Sequence, residues 1–196
     1  MNKPSHPIIT TPDPRLRQKS AKVGFPTDKT QKIVDQMIAS SLDWEKDHPH
    51  EVSAAMAAPQ LGINKRIIII RDDTEDKNNP NFTALLDPEV IKTDGKIIKD
   101  YEGCLSVPFL YGLVPRPEKA RIKAKLLNGQ EVRIKADGIL ARTLLHEIDH
   151  LDGILFIDHI KDEKDAFFEL DDDGELQPID YDTRVKNNKE LFPDED

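Results

Sequence analysis

Between Gly138 and Gly153 the chain changes period. Ile139, Leu140, Thr143, Leu144, Glu147, Ile148 and Leu151 recur at helical spacing, and Gly153 ends the run. Apolar residues fall on several sides of this helix, which predicts an interior element rather than a surface one. A helix of that kind has to be enclosed by others, and the rest of the sequence offers mostly strands. The β-branched run Ile67 to Ile70 reads as a buried strand, Phe82 to Leu86 and Lys96 to Tyr101 as further strands. Ala120 to Leu127 and Glu131 to Ala136 read as a hairpin closed by Asn128-Gly129, a pair suited to a tight turn. A polar stretch from Asp72 to Asn81 predicts a loop or hairpin tip. A second, one-sided helix is predicted from Thr27 to Trp44, where Ile33, Val34, Met37, Ile38 and Leu42 share a face, with Asp28 to Gln31 as its capping segment.

At 196 residues the chain suits one globular module. Its net charge of −9 is almost wholly contributed by residues after Asp162. The expected organisation is therefore a catalytic domain over 1–165 and an acidic appendage over 166–196, with few apolar residues to bury beyond Phe167, Phe168, Leu170, Leu176 and Ile179. This charge distribution argues against a broad basic surface for DNA. No apolar run approaches the ~20 residues of a membrane span. The N-terminal MNKPSHPIITTPDPRLRQ has neither the apolar core of a secretory signal nor the character of a transit peptide, so a cytoplasmic protein is expected.

The segment His146-Glu147-Ile148-Asp149-His150 places two imidazoles at i and i+4, one turn apart on one helix face, where both reach a single metal ion. Glu147 stands about 100° around the helix from His146, placed to hold a proton of metal-activated water without being a ligand. An exposed charged helix would show the same spacing by chance. Burial favours the metal reading, because an idle ionisable cluster in the interior is costly.

A tetrahedral catalytic site needs a third protein ligand and an open position. The candidates are His159, an upstream carboxylate and Cys104. Cys104 is the only cysteine, so it makes no intramolecular disulfide, and it sits in Glu102-Gly103-Cys104-Leu105-Ser106, where Gly103 allows close backbone approach. An inert buried thiol is the commoner fate of such a residue. A zinc endopeptidase would draw its third ligand from downstream, where His159 follows His150 without the connecting glycine pattern of the extended protease motif. Small residues from Ser53 to Ala58, ahead of Pro59-Gln60-Leu61-Gly62, suggest tight packing; beside a metal, the Gln60 amide would donate to an oxyanion.

In this order, Ala57-Ala58-Pro59-Gln60, Glu102-Gly103-Cys104-Leu105-Ser106 and His146-Glu147-Ile148-Asp149-His150 resemble the three signature motifs of the peptide deformylase family. The similarity extends through Pro12-Asp13-Pro14-Arg15-Leu16-Arg17, Val114-Pro115-Arg116-Pro117 and Leu151-Asp152-Gly153-Ile154-Leu155-Phe156-Ile157-Asp158, covering roughly residues 8 to 165. It implies an α+β fold with the ligand helix packed among antiparallel strands. The implied activity is removal of the N-formyl group from the formyl-methionine of newly synthesised polypeptides, with release of formate. One divalent metal is implied on Cys104, His146 and His150, usually Fe²⁺, with Zn²⁺, Ni²⁺ or Co²⁺ as alternatives. Glu147 is then the general acid/base, Gln60 and the Leu105 backbone N–H stabilise the oxyanion, and Glu102 pairs with Arg116. Ala54, Ala55, Gly103 and Tyr111 are expected along the bound peptide.

The implied partners are N-formylated nascent peptides. Without a basic docking tail, contact with the ribosome is expected to be transient at most, and the protein is expected to be a monomer. Ser53 and Ala55 stand where the family usually has glycines, and Tyr111 where some members carry arginine. A Cβ at Ala55 is expected to narrow the peptide groove.

Overall fold

A computed structural model describes residues 7–48, 51–74, 76, 79–171 and 173–193. Helix α1 (Asp28–Asp47) is followed by β1 (Ala55–Ala57), β2 (Ile67–Arg71), β3 (Phe82–Cys104), β4 (Val107–Lys125) and β5 (Glu131–Asp137). Then come α2 (Gly138–Leu151), β6 (Phe167–Leu170), β7 (Leu176–Pro178) and the short α3 (Tyr181–Arg184). The strands form one antiparallel sheet in the order β1-β2-β3-β4-β6-β7, with β5 paired to the C-terminal half of β4. This is the α+β arrangement expected, with α2 as the interior helix.

Ala141, Leu144, Leu145, Ile148 and Leu151 of α2 pack with Ala57, Ile68, Leu85, Ala120, Ile122 and Ala136 from the strands. Each fully buried leucine there contributes about 1.5–3 kcal/mol relative to exposure. Helix α1 covers the other side of β1 and β2, with Val34 and Met37 against Met56, Ile67 and Ile69. Its start differs from the expected capping segment by one residue: the Thr27 backbone N–H donates to the Thr30 hydroxyl at 3.1 Å, so Thr27 is the cap.

The predicted strands Phe82 to Leu86 and Lys96 to Tyr101 are both parts of β3. Residues 91–101 are exposed throughout, so no alternation of burial marks them as one strand, and register shifts such as that between Asp94 and Ile97 break the pairing with β4. Ala120 to Lys125 likewise belongs to the longer β4. Within the polar Asp72 to Asn81 connection, Glu75, Lys77 and Asn78 lie outside the described residues.

After Ala166 the chain adds β6 to the sheet through the pairs Tyr111–Phe168 and Gly112–Phe167. Phe167 and Val185 are buried against Leu155, Phe156 and Ile160. Gly153 is needed where α2 ends: its φ is +77°, and a Cβ there would stand 2.4 Å from the Arg17 carbonyl oxygen.

Candidate metal centre and substrate cleft

The central helix and the end of β3 bring Cys104, His146 and His150 together, with one potential ligand atom of each lying within 4.8 Å of the others. Cys104 Sγ is 3.1 Å from His150 Nε2. His146 Nδ1 is engaged by Glu102 Oε2 at 2.9 Å, which orients the ring and leaves Nε2 for an ion. His159, the downstream candidate, is elsewhere: its Nε2 lies 2.7 Å from Asp149 Oδ2.

The donor set fits one divalent transition metal. A thiolate and two imidazoles are borderline-soft ligands, and three of them leave a position open for water. Burial pushes His150 well below the ordinary histidine value, which keeps its imidazole neutral, the form that ligates. Burial acts on His146 in the same direction, but the Cys104 sulfur and the Glu102 carboxylate outweigh it and raise the value well above the ordinary one.

Glu102 anchors a buried ionic network. Burial alone would raise its carboxyl, yet hydrogen bonds with His146 and Arg116 prevail and hold it well below the usual carboxylate range. Arg116 donates from Nε and Nη2 to its two oxygens at 2.9 and 3.0 Å, the pairing the resemblance implied. Arg142 Nη1 adds a third donor at 2.7 Å. Arg116 also reaches Asp149, which His159 braces from the outside. Arg142 and the Asp149–His159 pair were not anticipated. The available signal was positional, since Arg142 lies one helical turn before His146.

Gln60 Oε1 accepts the Ala57 backbone N–H at 2.8 Å. This fixes the amide so that Nε2 points at Ser106 Oγ (3.3 Å) and Cys104 Sγ (3.7 Å). The N-terminal segment straps both loops: Ile9 N–H donates to the Gln60 carbonyl and Thr11 N–H to the Ser106 carbonyl. Leu105 opens the turn between β3 and β4 and lines the cleft beside Cys104. Glu147 is 5% exposed, and its Oε2 has no hydrogen-bond partner among the described protein atoms. Burial, with His146 opposing and Glu102 reinforcing, pushes its carboxyl up to about 7. A group at that value exchanges a proton near neutrality.

A cleft of about 710 Å³ opens over these residues, and Ala54, Ala55, Gly103 and Tyr111 are among those that line it. Gly103 has a steric reason: a Cβ there would stand 2.7 Å from the Tyr111 ring. The Ser53 side chain is held by α1 through a 2.7 Å hydrogen bond from Ser41 Oγ to its Oγ. The Ser53 N–H donates to Glu45 Oε1, which also receives Arg71 Nη1 at 2.6 Å, while the Arg71 backbone N–H binds the Ala54 carbonyl. A four-residue buried knot therefore fixes the strand that borders the cleft. The sequence reading missed it because its members are spread from Ser41 to Arg71.

An interior helix bearing two histidines, a single cysteine sulfur brought in by a strand end, and a buried carboxyl with one oxygen unpartnered among the described residues define a mononuclear metallohydrolase of α+β build. The chain belongs to the polypeptide deformylase family, whose model matches residues 5–166. It is 39% identical over 175 residues to the peptide deformylase of Thermomicrobium roseum, covering 86% of this chain and 93% of that one. It is 44% identical over 148 residues to that of Halothermothrix orenii, covering 76% and 88%. Among solved structures it is similar to a peptide deformylase from Synechococcus elongatus in complex with actinonin, with TM-score 0.71, 35% identity and coverage of 83% and 84%. A class I type b peptide deformylase from Acinetobacter baumannii, solved with Met-Ala-Ser bound, gives TM-score 0.71 at 29% identity, covering 81% and 100%. The protein is thus a metal-dependent hydrolase that removes the N-formyl group from newly synthesised polypeptides.

Proposed function

We propose that Glu147 is the general acid/base of formyl hydrolysis and that Cys104, His146 and His150 hold its single metal ion. The observation that carries this reading is the placement of the buried Glu147 carboxyl, whose Oε2 lacks a partner among the described residues, beside three converging ligand atoms. When bound, the cation supplies Lewis acidity that acidifies water and polarises the formyl oxygen. Glu147 takes the proton of the attacking water and later delivers it to the leaving amine nitrogen. Gln60 Nε2 and the Leu105 N–H donate to the tetrahedral oxyanion, and the fixed amide of Gln60 is already oriented for that task. The C–N bond breaks, leaving formate and a free N-terminus.

Ala54, Ala55, Gly103 and Tyr111 line the groove for an extended formyl-methionyl peptide, and the Met-Ala-Ser bound to the Acinetobacter baumannii relative supports a peptide of that kind. Fe²⁺ is the proposed cellular ion, on the family resemblance and a ligand set that also accepts Zn²⁺, Ni²⁺ or Co²⁺. The protein is proposed to act as a cytoplasmic monomer on nascent chains, with transient ribosome contact. Residues 166–196 form an acidic appendage tied to the catalytic domain, 1–165, through β6. The deciding assay is formate release from a formyl-Met tripeptide by anaerobically purified protein and by Glu147→Gln. Equal rates would remove Glu147 from the mechanism.

A further inference from the structure

The outer wall of the cleft is built from residues outside the three motifs. Phe109 lines the cleft with φ at +65°, a left-handed conformation that a bulky side chain rarely adopts. The residue is 86% exposed, so core packing does not account for its being there. Strand β6 pairs with β4 at Tyr111–Phe168 and Gly112–Phe167, and its last residue, Leu170, lines the same cleft as Phe109. Leu170 is 41% exposed and Tyr101 46% exposed, and both line the same cleft as Cys104, His146 and Glu147. Tyr101 is braced edge-on by Phe168 at 5.0 Å. The neighbouring Glu169 carboxylate is occupied by Arg184 at 2.9 Å. Strand β6 follows the family-matched residues 5–166, which hold Tyr101 and Phe109.

We infer that Phe109, Leu170 and Tyr101 form an apolar subsite for an aliphatic or aromatic side chain that follows formyl-methionine in the substrate. Exposed hydrocarbon on the wall of a cleft continuous with the metal ligands is a ligand-facing surface. Its occupant is the peptide itself, because the same cleft holds the reacting end. The inference rests on the deformylase activity, and it assigns the C-terminal hairpin a part in substrate choice.

The test compares kcat/KM for formyl-Met-Ala-Ala, formyl-Met-Leu-Ala and formyl-Met-Ala-Leu. The proteins are wild type, Leu170→Asp, Leu170→Met and Phe109→Gly, each checked for cooperative unfolding and metal content. Wild type is expected to favour one leucine peptide over the all-alanine peptide by about five- to tenfold, mostly through KM. Leu170→Met keeps that preference, and Leu170→Asp removes it. Phe109→Gly, which relieves the backbone, removes it without lowering Tm, and decides the matter should Leu170→Asp fail to fold. A wild type without preference, or a preference that survives Leu170→Asp and Phe109→Gly, overturns the inference. No formate from any of the three peptides counts instead against the deformylase activity beneath it.

Discussion

The metal centre and the walls of the cleft are made in different ways. At the centre, two of the proposed ligands and the proposed acid/base come from five consecutive residues of α2, and Glu102 ties His146, Arg116 and Arg142 into one buried network beside them. The walls are assembled from segments far apart in the chain. One is clamped by the Ser41, Glu45, Ser53 and Arg71 knot, the other by pairing of β6 with β4. A centre built this way leaves little freedom for substitution without loss of chemistry. The walls can change side chains, as Ser53 in place of the family's usual glycine illustrates, and alter how the substrate is held.

That contrast is open to direct attack. Cys104→Ala is expected to have the largest effect, with bound metal lost on elemental analysis and formate release falling to background. Full metal occupancy in this variant would remove Cys104 from the ligand set. Glu147→Gln should keep its metal and lose roughly 10²–10⁴-fold in kcat, the usual range for a general acid/base. Gln60→Ala should cost on the order of 10²–10³ in kcat, as loss of an oxyanion donor does. A change confined to KM would instead place Gln60 among the substrate-holding groups.

Arg116→Met leaves the buried Glu102 and Asp149 carboxylates short of a partner, and should destabilise the fold by about 3–5 kcal/mol in urea denaturation. The smallest effect is expected in the wall. Ser53→Gly deletes one buried hydroxyl pair, worth roughly 1 kcal/mol, and loosens the Ala54–Ala55 edge. It should raise KM while kcat and metal content stay put. A fall in kcat equal to that of Gln60→Ala would erase the distinction between centre and wall.

The legible parts of the molecule were those whose signal is local. Helix periodicity marked α2 and α1, the Asn128-Gly129 pair marked the turn into β5, and His146 and His150 at i, i+4 marked half of a metal site. The length of β3 was not legible. Its exposed middle is held by backbone pairing with β4, and pairing leaves no periodic trace in side chains. β1 was missed for a related reason: Ala55-Met56-Ala57 lacks β-branched residues, and partnership with β2 makes it a strand.

By itself, then, the sequence determined the interior helix, the two histidines with the glutamate between them, the acidic balance after Asp162 and, through resemblance, the family and its reaction. Only the tertiary structure decided that Cys104 rather than His159 joins the histidines, that Gln60 is locked with its amide toward the sulfur, that Ser53 turns to α1, and that β6 closes the cleft. The division follows chain distance. Spacing along a helix fixes geometry within a turn or two, whereas groups on different elements, such as Ser41 and Ser53 or Cys104 and His150, meet only when the sheet and core have set where each segment lies.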